Sequence, residues 1–154
     1  MVRRTVEGFH RDGAGEWVAE LSCLHGQHVR HRPPFQERPW VLSRAGRAER
    51  VGGELDCPRC DRAELPEGLT VVRTAGPFDD ATLPDGLRRA HRVAEGTWGR
   101  LRVSHGSVRF SLEMSPPVER LAGSGDEQPI PPGVPHALSV GGPVVLAIDF
   151  LVRP

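Results

Sequence analysis

Lysine, asparagine and tyrosine are absent from these 154 residues. Their codons are AT-rich, so their joint absence reads as the mark of a GC-rich genome, and the 20 basic residues are all Arg as a consequence. No mechanism attaches to that. Long hydrophobic runs are missing too. The longest uninterrupted apolar stretch is Val144 to Ile148, far short of the ~20 residues a bilayer span needs. The chain does not open on a basic-then-apolar signal pattern, so no membrane partner is expected and the expected location is the cytoplasm. Nor is there an excess of charge of either sign: 20 Arg meet 20 Asp and Glu, at a pI near 7.1. That balance argues against a dedicated nucleic-acid binder.

What is present is unevenly spread. The 18 Gly and 15 Pro break the second half of the chain into short segments, which predicts short strands joined by tight turns. All three Cys (Cys23, Cys57, Cys60) and four of the seven His (His10, His25, His28, His31) fall in the first 60 residues. Turn residues cluster from Arg62 to Pro66. These features predict two small domains, 1–64 and 65–154.

In the first piece the pattern predicts a strand near Thr5 to Phe9, a turn at Asp12 to Gly15, a strand from Trp17 to Cys23, and a return strand from His28 to His31 after the polar turn Leu24 to Gln27. Ser43 is placed to cap a short helix that Gly52-Gly53 would end. So small a piece buries only about 60% of its unfolded surface, and it has few large apolar residues, so it needs a staple. Cys57-x-x-Cys60 offers two thiolates in one turn, Cys23 a third from the hairpin, and His25 or His28 an imidazole. His25, two residues from Cys23, is the favoured fourth ligand. Together they predict a tetrahedral Cys3His zinc site of zinc-ribbon type, with its coordination sphere closed and its role structural. The competing readings are a redox Cys-x-x-Cys couple, which lacks its usual strand-to-helix context, and unliganded thiols. The missing fourth Cys favours zinc over an iron–sulfur cluster.

Six Arg (30, 32, 38, 44, 47 and 50) stand against two Glu between residues 30 and 50, with Phe35 and Trp40 among them. Such a patch can bind phosphates and stack a base. It can equally be a solvated face whose Arg stems cover a thin core, which is the plainer expectation.

After residue 65, apolar alternation recurs in five runs: Leu69 to Arg73, Trp98 to Ser104, Ser107 to Leu112, His136 to Val140 and Pro143 to Val152. Shorter strands are expected near Leu121 and Ile130, and a hairpin turn at His105-Gly106. A mainly β fold follows, with an antiparallel barrel or sandwich after the zinc-stapled hairpin domain.

The stretch Pro131-Pro132-Gly133-Val134-Pro135-His136 resembles the second motif of the cupin superfamily, whose His is usually a metal ligand inside the barrel. With Leu83-Pro84-Asp85-Gly86-Leu87, His91 and Gly96-Thr97-Trp98-Gly99-Arg100, residues 65–154 look like the small cupin-like domain associated with tellurite resistance proteins (TehB/YeaR-like), and they are similar to a nitrate-responsive stress protein. The N-terminal piece resembles an uncharacterised bacterial Cys/His family through Trp17 to Leu21, Cys23 to His31, Arg38 to Val41 and Cys57-x-x-Cys60. The cupin first motif carries His-x-His and a Glu. Here only His91 stands in that region, with Arg89 where a second His would fall. The resemblance therefore implies an incomplete metal set, in which His91 and His136 hold a second metal with water or hydrogen-bond an anion. His136 as a plain buried barrel histidine is the alternative.

Three functions follow from these readings. The first is a metal-binding, stress-response-type protein of the tellurite-resistance kind whose barrel binds a small molecule or oxyanion near His91, Trp98, Arg100 and His136. The second is a metal-dependent enzyme that uses His91 and His136. The third is an adaptor or regulator that contacts nucleic acid or protein through its Arg patch. No catalytic constellation can be argued from the sequence, and a homodimer is an expectation of the resemblance alone.

Overall fold

The computed structural model describes residues 1–154. The chain divides into two compact units, Val2–Pro58, and Arg59–Pro154 with Met1, so the division falls inside the Cys57-Pro58-Arg59-Cys60 turn.

The first unit begins with the expected hairpin. Strands β1 (Arg3–Arg11) and β2 (Trp17–Leu21) pair antiparallel. Asp12 closes the turn between them, its Oδ1 accepting from the N–H groups of Ala14 and Glu16, each at 2.9 Å. Strand β3 (Gly26–His28) starts two residues ahead of the expected return strand, because Glu20 pairs with Gly26. Ser43 caps helix α1 (Arg44–Arg50) by accepting from the Gly46 N–H at 3.0 Å, as its position predicts. Strand β4 (Glu54–Asp56) then adds to the free edge of β1, giving a sheet of order β3-β2-β1-β4. A single helical turn, α2 (Pro58–Asp61), follows. Val6, Leu21, Val29 and Val41 are buried and supply the thin core that the composition predicts.

In the second unit, six strands organise around one long one. These are β5 (Thr70–Asp79), β6 (Trp98–Leu112), β7 (Val118–Gly123), β8 (Glu127–Ile130), β9 (His136–Ser139) and β10 (Val144–Val152). The first half of β6 lies between β10 and β8, and its second half between β7 and β9. One strand thus passes from one sheet into the next, and the result is an antiparallel half-barrel. The expected hairpin at His105-Gly106 is corrected here. Gly106 has φ +71°, and a Cβ there would overlap the carbonyl oxygen of Pro143, so glycine lets β6 bend against β10 where a turn would have reversed it. Gly76-Pro77 likewise lies inside a strand, β5. The interior is filled by Trp98, Leu101, Phe110, Leu112, Ile130 and Leu138. No helix is long and apolar enough to cross a membrane.

Candidate functional site

The turn after β2 and the start of α2 bring four side chains together. Cys23, His25, Cys57 and Cys60 are all buried, and one ligand atom from each lies within 4.8 Å of the others. His25 Nδ1 stands 3.4 Å from Cys23 Sγ and 3.3 Å from Cys57 Sγ, and those two sulfurs are 3.8 Å apart. Zinc bonds of about 2.3 Å to sulfur and about 2.0 Å to nitrogen, arranged tetrahedrally, put ligand atoms about 3.5–3.8 Å apart. The donor set therefore fits zinc in both chemistry and spacing. The backbone is committed to this arrangement, for Leu24, between two of the four residues, takes φ +72° and its N–H bonds back to Leu21 O at 2.9 Å.

Electrostatics make the same demand. Burial alone would lower the pKa of His25, but the sulfurs of Cys23 and Cys57 hold the imidazolium strongly enough to push it up to about 9. The sulfurs thus favour a positive charge beside them, which in the metal-free site is the His25 proton.

His28 does not join the four. It begins on the other side of the turn and bonds through Nε2 to Asp12 Oδ2 at 2.7 Å, and with Glu16 these residues form a second, more exposed group. Glu16 is already taken by Arg30 and Arg32. Much of the remaining Arg patch is likewise engaged. Arg47 lies over the Trp17 ring at 3.7 Å and donates to Val41 O, while Arg50 lies over Trp40 at 4.8 Å. Both guanidiniums thus lie over aromatic rings.

In the second unit, His91 and His136 do meet. Their backbones exchange two hydrogen bonds of 2.8 Å, and their rings stand edge to face at 5.2 Å between centroids. His136 pairs with Leu112, faces inward with Phe110 and Leu138, and stacks on the Phe110 ring. The Nδ1 atoms of both histidines are buried without a hydrogen-bond partner. Burial and then the neighbouring His91 lower the pKa of His136 to about 4. No third Cys, Asp or Glu joins the pair to make a three-ligand group.

The other two expected ligand contacts lie elsewhere. Trp98 is fully buried in the core. Arg100 donates through Nε and Nη2 to Asp149 Oδ2, on the sheet face opposite Leu101, and Arg102 and Thr74 bind the same carboxylate. Sequence reasoning passed over Asp149. The available signal was a lone acid inside Val144–Val152, the most apolar strand of the chain.

Two family models match the chain, one after the other. Residues 7–64 match the family described as protein of unknown function (DUF3565), and residues 73–147 match the TehB-like domain. Among curated proteins none matches the sequence. A solved protein from E. coli strain K12, a structural-genomics target, shares the fold at TM-score 0.50 and 24% identity, over 59% of this chain and 97% of its own. TehB from Haemophilus influenzae does so at TM-score 0.50 and 18% identity, over 58% of this chain and 33% of its own, so this chain spans about a third of that protein. Two family models thus match successive stretches of the chain, DUF3565 at residues 7–64 and the TehB-like domain at residues 73–147.

Proposed function

We propose that the protein is a zinc-stapled member of the tellurite-resistance type whose half-barrel, cupin-like in its motif around His136, binds a small oxyanion at the His91–His136 pair. The observation that carries the first half is the Cys3His geometry: four buried donors within 4.8 Å of one another, three of them, Cys23, His25 and Cys57, at the spacing of a zinc tetrahedron. Zinc bound there would cross-link the β2–β3 turn to α2 and neutralise the thiolates, which is a folding role. The second half rests on the two buried Nδ1 atoms. A buried polar atom left unmet costs about 1–3 kcal/mol, and a bound ligand with hydroxyl groups, such as a protonated oxyanion, relieves it.

Metal content per chain, measured by plasma mass spectrometry on the wild type, Cys57→Ser and His136→Ala, tests both halves together with calorimetric titration of tellurite. The expected result is one zinc in the wild type and in His136→Ala, none in Cys57→Ser, and tellurite binding lost only in His136→Ala. A Cys57→Ser protein that kept its metal and its melting temperature would end the zinc assignment. Unchanged tellurite binding in His136→Ala would end the barrel assignment. The same two nitrogens support a second reading, a metal-dependent enzyme, and a second metal lost with His136 would put that reading first.

A further inference from the structure

The outer face of the half-barrel carries polar groups that the fold leaves unmet. Along β6, Val108, Phe110 and Leu112 are buried, so the alternate residues Ser107, Arg109 and Ser111 face outward. In register with Arg109 stand Leu121 on β7 and Ser139 on β9. Arg109, Ser111 and Ser139 make no side-chain hydrogen bond or ion pair within the protein. A depression of about 220 Å³ opens here, lined by Arg88, Arg109, Ser111, Glu119, Arg120 and Ser139. Of its three guanidiniums, that of Arg109 has no ion-pair partner. Arg120 is occupied by Glu127 O, Gln128 Oε1 and Asp126. Arg88 donates from Nη2 to Asp80 O and stands 3.9 Å from Asp85, yet its Nε is a buried donor that no acceptor meets. A second depression of about 410 Å³ shares Arg109 and Ser139 and runs across Leu121, an apolar side chain 59% exposed, to the Gly141-Gly142 turn.

We propose that this face is an anion site for a small phosphate monoester, with the phosphate held by Arg109, Arg88 and the Ser111 and Ser139 hydroxyls and the organic body lying over Leu121. A guanidinium fork matches two phosphate oxygens at once, and hydroxyl donors complete the shell. A dianion also gives Arg109 the charge partner that the fold does not supply. The site is separate from the histidine pair. His136 and Leu138 turn inward on β9, whereas Ser139 turns out.

Titration calorimetry of the full chain with inorganic phosphate and with phenyl phosphate, at constant ionic strength, tests the site. Phenyl phosphate is expected to bind several-fold tighter than the free ion. Arg109→Ala weakens both at least tenfold, Ser139→Ala weakens both about threefold, Arg109→Lys restores part of the loss, and His136→Ala leaves phenyl phosphate binding unchanged. Arg109 is exposed, so its variants keep the wild-type melting temperature. Binding of wild-type strength in Arg109→Ala overturns the proposal, as does loss in His136→Ala alone, which would move the anion to the interior. Equal affinity for the two probes overturns the ester and leaves the free ion as the ligand.

Discussion

The sulfurs of Cys23 and Cys57 stand 3.8 Å apart with no disulfide between them, although 33 residues separate them in the chain. A disulfide would hold them at about 2.0 Å, whereas the edge of a zinc–thiolate tetrahedron is about 3.8 Å. Two thiolates this close repel each other unless a cation lies between them.

The first prediction concerns that cation. A structural zinc contributes on the order of 10 kcal/mol to the folding of a small domain, and the first unit has only a thin apolar core without it. A strong chelator should therefore expose all three thiols to a thiol reagent and shift the fluorescence of Trp17 and Trp40. Adding zinc back should reverse both effects. Thiols that stay unreactive and a spectrum that stays fixed after complete metal removal would contradict the stapling role.

Leu24 gives a second test, because it is a non-glycine residue at φ +72° between two of the four cluster residues. The left-handed conformation costs an ordinary side chain about 1–2 kcal/mol, and glycine returns part of that gain through its freer unfolded chain. Leu24→Gly should raise metal affinity about two- to fivefold, whereas Leu24→Val should lower it. Competition against a chromophoric chelator measures both. Weaker binding in the glycine variant would show that the leucine side chain, and not the turn, sets the geometry.

Gly106 provides the third. Alanine there meets both the positive φ and the Pro143 carbonyl, in backbone that cannot yield without unpairing β6 from β10. Gly106→Ala should cost about 3 kcal/mol or more. Gly142→Ala is the control, since its Cβ would meet nothing within 4 Å and its φ lies outside the left-handed region. A small, equal effect at the two sites would mean that β6 bends for another reason.

These positions also mark what the sequence disclosed. Cys-x-x-Cys with Cys23 and His25 was legible because ligand chemistry restricts residue type and local spacing together, and Ser43 was legible because a cap acts within three residues. His28 was the weaker ligand candidate, and the alternation of β3 carries it to Asp12 instead. The bend at Gly106 read as a turn because glycine signals the same backbone freedom in both settings, and only the register with Val144 tells them apart. Arg100 could not be placed from sequence, since its partner lies 49 residues away on β10.

That partner carries the last prediction. Asp149 is 2% exposed, and its carboxylate accepts five hydrogen bonds: from Thr74 Oγ1 at 2.8 Å, from Arg100 at 3.1 and 2.9 Å, and from Arg102 at 2.7 and 3.0 Å. Burial works against the charge, but the bonds from Arg102, Thr74 and Arg100 outweigh it and pull the pKa down to about 2 from an ordinary 3.8. With the folded value below the unfolded one, the stabilisation is complete above about pH 4 and is lost as pH falls toward 2. It amounts to about 2 kcal/mol. Asp149→Asn removes the charge and turns an amide N–H toward two guanidiniums, and should cost about 3 kcal/mol at pH 6. Urea unfolding of both proteins at pH 6, 4, 3 and 2, followed through the amide signals of β6 and β10, should show that gap narrowing to about 1 kcal/mol at pH 2. Parallel curves would mean that Arg100 and Arg102 are held in place by their packing, with the carboxylate contributing nothing in that range.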